Sequence, residues 1–280
     1  MQEFNYHSHT YRCGHADLDM KDEDYIQDYI KMGFKRMAFT DHCPEKNEID
    51  KRNNMRMKYS QRKEYLETIQ ALKEKYAGQI EIQSGYEIEY LPGEEQNLKE
   101  LKEETDKLIL GQHFVYDDNQ KLKIHGKDEF SDKELLRYAE YIEQAMKLNL
   151  PDIIAHPDFY MLKRKDFGEI EAKVAHHICK AAETYGVPLE MNLNHIFKYT
   201  YYENTKLNSK PIEEQRKNLD KVAYPCKEFW KIASQYDIHV LYGIDAHHRG
   251  QILVFNELVE LANEVIGKDI IKQLNFIDLK

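Results

Sequence analysis

The sequence predicts an α/β protein in which seven β/α units form a closed or nearly closed barrel around a parallel sheet. Short apolar runs rich in β-branched residues alternate with longer amphipathic stretches along the whole chain, a pattern typical of a parallel sheet with helices outside it. Seven such units favour a barrel over an open doubly wound sheet. No glycine-rich phosphate loop follows the first run, which also counts against a Rossmann-type sheet.

The predicted strands are the short apolar runs, and polar residues follow most of them. They cover residues 4–10, 36–42, 79–90, 108–115, 152–157, 188–194 and 239–245. Three long connections, at 43–59, 116–130 and 196–222, all follow strands, so in a barrel they would lie at the carboxyl-terminal rim. The last of them is rich in tyrosine, and it is either a lid over a substrate or a solvated surface loop.

Capping residues mark the ends of the predicted helices between these strands. Ser60 is the predicted N-cap of one apolar stripe, which ends near Gly78. Ser131 with Glu134 has the spacing of a capping box before the next stripe. Gly186 follows a third stripe and is expected at its C-terminal cap.

Composition limits the classes of function. The 280 residues carry a formal charge of −10, which argues against broad affinity for nucleic acid. Four cysteines lie far apart with no CxxC motif, as expected of a reduced intracellular protein. No run approaches the length of a membrane span. We therefore expect one cytoplasmic domain over residues 1–280, and the sequence does not determine its oligomeric state.

Residues able to bind a metal ion lie at the ends of most predicted strands. His7 and His9 alternate along the first strand, so their imidazoles share one face. The remaining residues of this kind near strand ends are His15, His42, Glu87, His113, His156, Asp245 and His247. Because the active site of a barrel enzyme is built from this rim, one shared metal site is expected.

Simpler explanations exist for several of these residues taken singly. A lone histidine near a strand end is more often structural, and Asp41-His42 has the composition of a turn. Glu87 is harder to explain in this way, because a carboxylate in an apolar strand needs a cation. Cys13 is expected to be a packing residue, and His195 falls outside the pattern.

Six motifs, in order along the chain, resemble those of the PHP (polymerase and histidinol phosphatase) superfamily of metal-dependent phosphoesterases. They are HSHTYRCGH at 7–15, TDHCP at 40–44, GYEIEY at 85–90, HF at 113–114, HP at 156–157 and GIDAH at 243–247. The first and third are most similar to those of histidinol-phosphate phosphatases. The resemblance implies a distorted, TIM-like (β/α)7 barrel with its active site at the carboxyl-terminal rim of the strands.

The resemblance also implies three divalent metal ions, of zinc, manganese or iron. The first would be bound by His7, His9, Glu87 and Asp245, the second by Glu87, His113 and His156, and the third by His15, His42 and His247. Glu87, Asp245 and His247 are the expected catalytic residues. The ions would leave a net positive cluster despite the negative charge of the chain.

The chain departs from the family pattern after the sixth strand. Where histidinol-phosphate phosphatases usually read Asn-Thr-Ser-Gly-Leu-Arg, residues 192–197 keep the asparagine but end in Phe197. Lys198, Arg164 or Arg249 is expected to supply the missing cation, although each taken singly also fits a surface role. Asn192 and His248 complete the predicted substrate contacts.

The resemblance therefore implies hydrolysis of L-histidinol phosphate to L-histidinol, by attack of a hydroxide that would bridge two ions. The partner expected is therefore a small phosphorylated molecule, with no nucleic acid and no membrane. One alternative is another small phosphate ester, a nucleotide or a nucleic-acid 3′ end. A second alternative is a non-catalytic metal-binding domain of the kind attached to polymerases.

Overall fold

A curled sheet of eight parallel strands forms the centre of the computed structural model, which describes residues 2–44, 55–202 and 216–277. In sheet order the strands are β1 (Phe4–Asn5), β2 (Arg36–His42), β3 (Glu81–Ile88), β4 (Lys107–Leu110), β7 (Ile153–Ile154), β8 (Leu189–Asn192), β9 (His239–Gly243) and β10 (Asn275–Phe276). The remaining two, β5 (Phe114–Tyr116) and β6 (Leu122–Ile124), form a separate antiparallel hairpin.

The two ends of the barrel sheet meet just beyond β1 and β9. The N–H of His9 donates to the carbonyl of Ala246 over 2.9 Å, and the N–H of Ala246 donates to the carbonyl of His7 over 3.1 Å. Lower on the same seam, the side chain of Gln2 bonds both backbone groups of Tyr242. One backbone bridge and the side chain of Gln2 thus connect the two sides of the curled sheet, which has eight strands where seven were predicted.

Ten helices of the described residues surround the sheet. They are α1 (Asp22–Lys31), α2 (Arg62–Lys75), α3 (Glu95–Glu104), α4 (Asp132–Lys147), α5 (Glu169–Tyr185), α6 (Asn194–Phe197), α7 (Lys227–Ala233), α8 (Arg249–Leu253), α9 (Phe255–Ile266) and α10 (Lys268–Ile271). Their apolar faces form the main core against the strands. A second cluster, which includes Phe4, Ala38, Ile109 and Leu241, fills the inside of the curl. None of the described helices is both long and apolar enough to cross a membrane.

The structure confirms most predicted elements and corrects several of their ends. The predicted strand 108–115 is two elements, because the chain leaves the barrel after Leu110 and starts the hairpin at Phe114. Ser60 is not an N-cap, since it lies inside a 3-10 turn that precedes α2. β10 was not predicted, because a pair of residues is too short to give a periodic pattern.

The predicted caps of α4 and α5 are confirmed. The side chain of Ser131 accepts from the N–H of Glu134, and the carboxylate of Glu134 accepts from the N–H of Ser131. Gly186 ends α5 with a φ of 67°, a left-handed conformation that glycine adopts without steric cost. Part of the predicted 43–59 and 196–222 connections lies outside the described residues.

Candidate active site

The nine predicted ligands meet at the carboxyl ends of the barrel strands, on the floor of one cavity. Seven of them line this cavity, whose volume is about 480 Å³. The other two, His7 and His9, lie beneath it and have no exposed surface. His42 and Glu87 are neighbours because they occupy the same register position on β2 and β3. We call the nine residues the metal-ligand floor.

Two carboxylates and two imidazoles form the centre of the metal-ligand floor. The Nε2 atom of His7 lies 3.3 Å from Oδ1 of Asp245 and 3.5 Å from Oε2 of Glu87. The Nε2 atom of His9 lies 3.1 Å and 3.5 Å from the same two oxygens. This group corresponds to the set of side chains predicted for the first ion.

The second predicted set lies on the other oxygen of Glu87. The Nε2 atom of His156 is 2.9 Å from Oε1 of Glu87, and Nε2 of His113 is 3.8 Å from the same oxygen. One oxygen of Glu87 therefore faces His7 and His9 while its other oxygen faces His113 and His156. A carboxylate in this arrangement is suited to bridge two cations.

The three histidines predicted to bind the third ion lie at unequal distances from one another. The rings of His15 and His247 lie 4.4 Å apart, whereas those of His15 and His42 lie 5.4 Å apart. His9 also approaches this set, with its ring centroid 4.0 Å from that of His247. The thiol of Cys13 shares a cluster with His15 and His247 in which all ligand atoms lie within 4.8 Å of one another. Burial raises the pKa of this thiol to about 12, as expected of a packing residue.

Buried polar atoms without hydrogen-bond partners converge on the metal-ligand floor. Those facing the floor include Nε2 of His7, His9 and His247, Oε2 of Glu87 and Oδ1 of Asp245. The same Oε2 atom of Glu87 lies 2.8 Å from Nδ1 of His42, within ion-pair distance. Native proteins leave few such atoms unsatisfied. Imidazole nitrogens and carboxylate oxygens are ligands of zinc, manganese and iron, so these residues fit divalent metal ions.

A second layer of polar groups orients the imidazoles. The Nδ1 atom of His7 lies 2.9 Å and 3.1 Å from the two carboxylate oxygens of Glu190. That of His113 lies 2.7 Å from Glu89, whose carboxylate also accepts from Arg56. A carboxylate that takes the Nδ1 proton leaves the Nε2 lone pair free for a metal ion. Glu190 was not predicted from the sequence, although it too is a carboxylate in an apolar strand that needs a cation.

Two glycines provide the space that these buried carboxylates occupy. A Cβ atom on Gly111 would lie 1.8 Å from Oε1 of Glu87, and one on Gly243 would lie 2.0 Å from the carboxyl carbon of Glu190. Neither distance is compatible with a side chain at those positions. Each glycine therefore fixes where an acid of the site can lie.

Burial and mutual charge set the protonation of the metal-ligand floor. Burial lowers the pKa of His15 to about 4, with His247 adding to the shift, and lowers the pKa of His247 to about 3, with His9 adding to it. Burial alone would raise the pKa of Glu87, but His42, His7 and His156 more than offset this and hold it well below its usual range. Burial alone would lower the pKa of His7, but Asp245, Glu190 and Glu87 more than offset this and raise it well above its usual value. A divalent cation would bind the neutral form of each imidazole and the ionised form of each carboxylate.

Asp41 and His42 do not form a turn, because both belong to β2. The carboxylate of Asp41 accepts from the N–H and the hydroxyl of Thr10, both over 2.7 Å. It thereby ties β2 to the segment that follows His9, and so helps to fix the position of that ligand.

Of the residues predicted to contact the substrate, some line the cavity and the others lie outside it. Lys198 and His248 line it, as does Phe197. Asn192 is fully buried behind it and donates to Glu190 and Asp245. Arg164 is paired with Glu171 and Arg249 with Asp28, and neither arginine is among the residues that line the cavity.

The PHP domain model matches residues 5–194. The chain therefore belongs to the PHP domain family. The match runs from Asn5, the last residue of β1, through β8 and includes seven of the nine predicted ligands, whereas Asp245 and His247 lie beyond it. The extent of a single domain over residues 1–280 stays a prediction.

Relatives and solved structures are similar over most of the chain. A protein of Deinococcus radiodurans named "Probable histidinol-phosphatase" is 26% identical, over 94% of this chain and 94% of its own. The histidinol-phosphatase of Bacillus subtilis is 25% identical, over 90% of this chain and 96% of its own. The histidinol phosphate phosphatase of Lactococcus lactis, solved with zinc, L-histidinol and phosphate, has a TM-score of 0.62 at 13% identity, covering 93% of this chain and 94% of that one. This last likeness shows the shared fold.

Proposed function

We propose that the chain is a metal-dependent phosphomonoesterase that hydrolyses L-histidinol phosphate to L-histidinol and phosphate. The observation that carries this proposal is the set of unpartnered nitrogen and oxygen atoms on the floor of a cavity. The family supports a metal-dependent phosphoesterase, and the names of the two relatives support the substrate. The L-histidinol and phosphate bound to the Lactococcus lactis protein support the same substrate.

Three divalent ions, each of zinc, manganese or iron, are proposed for the metal-ligand floor, in the ligand sets predicted from the sequence. The zinc in the Lactococcus lactis structure favours zinc. When bound, such ions act as Lewis acids toward phosphoryl oxygens and lower the pKa of water from ~15.7 to about 7.

The chain's own residues prepare this site before a substrate arrives. Glu190 and Glu89 hold the rings of His7 and His113 in fixed orientations. Glu87 and Asp245 supply negative charge, and burial keeps water from screening it. With His247 these two acids are the proposed catalytic residues, because all three line the cavity where the phosphate would bind.

The cavity has the size and walls expected for a small monoester. Its volume of about 480 Å³ is within the usual range for small-molecule sites. Beside the metal-ligand floor the cavity is lined by five further ring-bearing residues, which we call the aromatic wall: Phe114, Phe159, His195, Phe197 and Tyr224. A flat imidazole ring fits such a wall. We assign the remaining substrate contacts to Lys198 and His248, which are polar and line the same cavity.

Comparison of substrates tests this proposal. Phosphate release is measured with the metal-loaded protein on L-histidinol phosphate, on nucleotides with a terminal phosphate, and on phenyl phosphate. We expect kcat/KM to be highest for L-histidinol phosphate, by about 100-fold or more over phenyl phosphate. A higher kcat/KM for a nucleotide than for L-histidinol phosphate would show that the preferred substrate is a nucleotide. No phosphate release from any of the three would favour a metal-binding accessory domain.

A further inference from the structure

His195 is a buried histidine of the aromatic wall, outside the metal-ligand floor. It lies in α6 and is 4% exposed. Its ring stacks on that of Tyr224, with centroids 4.7 Å apart and planes 9° apart, and Tyr199 packs edge-on against it at 4.8 Å. These two contacts fix the plane of the imidazole.

A backbone hydrogen bond determines which nitrogen of His195 carries the proton. The N–H of Ala223 donates to Nδ1 over 3.0 Å. Because a nitrogen that accepts has no proton of its own, the neutral ring is protonated on Nε2. Burial, with Lys198 nearby, lowers the pKa of His195 to about 4. The ring is therefore a neutral hydrogen-bond donor at physiological pH.

The Nε2 donor of His195 has no partner among the described residues. It is buried, and His195 lines the cavity. A buried donor left without an acceptor costs free energy, so such a group in a binding cavity is explained by a ligand that accepts from it. The neighbouring ring of Tyr224 lies 6.4 Å from that of His156, which places His195 one aromatic layer further from the metal-ligand floor.

We infer that His195 determines specificity by donating from Nε2 to an acceptor on the alcohol part of the substrate, remote from the phosphate. This inference rests on the proposed function. In L-histidinol phosphate the alcohol part carries an imidazole, which at neutral pH is largely unprotonated and offers one accepting nitrogen. Phenyl phosphate has no acceptor in the corresponding part, so the two substrates distinguish this contact from one to the phosphate.

Two substitutions test the roles of the two ring nitrogens of His195 separately. His195→Asn places an amide oxygen near the position of Nδ1, which keeps the bond from Ala223 but removes the Nε2 donor. His195→Gln extends an amide to the position of Nε2 and keeps a donor there. The measurements are kcat/KM for L-histidinol phosphate and phenyl phosphate, and the inhibition constant of inorganic phosphate.

We expect His195→Asn to lower kcat/KM for L-histidinol phosphate about tenfold, the effect of one lost hydrogen bond. Its kcat/KM for phenyl phosphate and its phosphate inhibition should stay within about twofold of the parent. His195→Gln should restore most of the loss.

Three results would overturn the inference. Equal losses on both substrates would indicate a phosphate contact or a purely structural role. Unchanged kcat/KM for L-histidinol phosphate in the His195→Asn protein would overturn this inference and leave the proposed substrate standing. A parent protein that hydrolyses phenyl phosphate but not L-histidinol phosphate would overturn the proposed substrate, and the inference would fall with it.

Discussion

The metal-ligand floor and the aromatic wall line one cavity but are built on different kinds of backbone. On the floor, Glu87 lies within β3, and Asp245 follows β9 by two residues. On the wall, Phe159 begins a 3-10 turn, His195 belongs to the four-residue helix α6, and Tyr224 lies in the connection before α7. Strands and the residues just beyond their ends position most of the floor, whereas turns and short helices position most of the wall, with Phe114 of β5 as the exception.

This difference separates chemistry from specificity. Side chains at the ends of paired strands keep their spacing, as the metal ions of a hydrolase require. Loop residues on a rigid scaffold can be exchanged without disturbing that spacing. Phe197, at the end of the short helix α6, stands where the resemblance implies an arginine and would be such an exchange on the wall. We therefore expect substitutions on the floor to remove metal and those on the wall to alter substrate preference.

The largest effect is expected from Glu87→Gln. This change removes the charge that faces both His7 and His156 and preserves the shape of the side chain. Bound metal should fall, and kcat should drop on the order of a thousandfold. Metal content by mass spectrometry, beside the same measurement on His156→Ala, checks this. Equal metal content in the two variants would contradict a bridging role for Glu87.

Gly111→Ala should disturb the floor without removing any ligand. The added Cβ would lie 1.8 Å from Oε1 of Glu87, so the carboxylate has to turn away. We expect metal affinity to fall about 100-fold with little change in the unfolding temperature. In a protein that already carries Glu87→Ala, Gly111→Ala should not lower metal affinity further, because the carboxylate that the new Cβ would contact is absent. If the two changes lower metal affinity additively, Gly111 affects the site in some way other than through Glu87.

Glu190→Gln tests the layer behind the floor and should have a smaller effect. Glutamine still accepts from Nδ1 of His7 but no longer carries the charge that makes the ring a better ligand. Metal affinity is expected to fall about tenfold. Glu143→Gln is the matched control, since Glu143 contacts the remote His177 over 2.6 Å. Similar losses in both variants would exclude a specific role for Glu190.

The smallest effect is expected from Arg164→Ala. Arg164 is bound to Glu171 and does not line the cavity, so KM for L-histidinol phosphate should change by less than about twofold. Lys198→Ala, which removes a cation that does line it, should raise KM about threefold. A larger effect at Arg164 than at Lys198 would reverse the assignment of the substrate cation.

The sequence predicts the floor far better than the wall, for physical reasons. Alternation predicts that His7 and His9 share one face, although β1 ends at Asn5 and both residues lie beyond it. An acid in an apolar strand, such as Glu87, needs a cation. Both arguments use only the geometry of a strand. The contact of His195 with Tyr224 instead depends on how a connection that leaves α6 returns to the cavity, and no local pattern encodes that. The seam at Gln2 and Tyr242 is unpredictable for the same reason.

Removal and return of metal test the central claim most directly. The protein is stripped with a chelator, and zinc, manganese or iron(II) is then titrated back while bound metal and phosphate release from L-histidinol phosphate are measured together. We predict no turnover in the stripped protein, with activity returning as metal binds. Full activity in protein shown to be free of metal would contradict the proposed role of the metal-ligand floor.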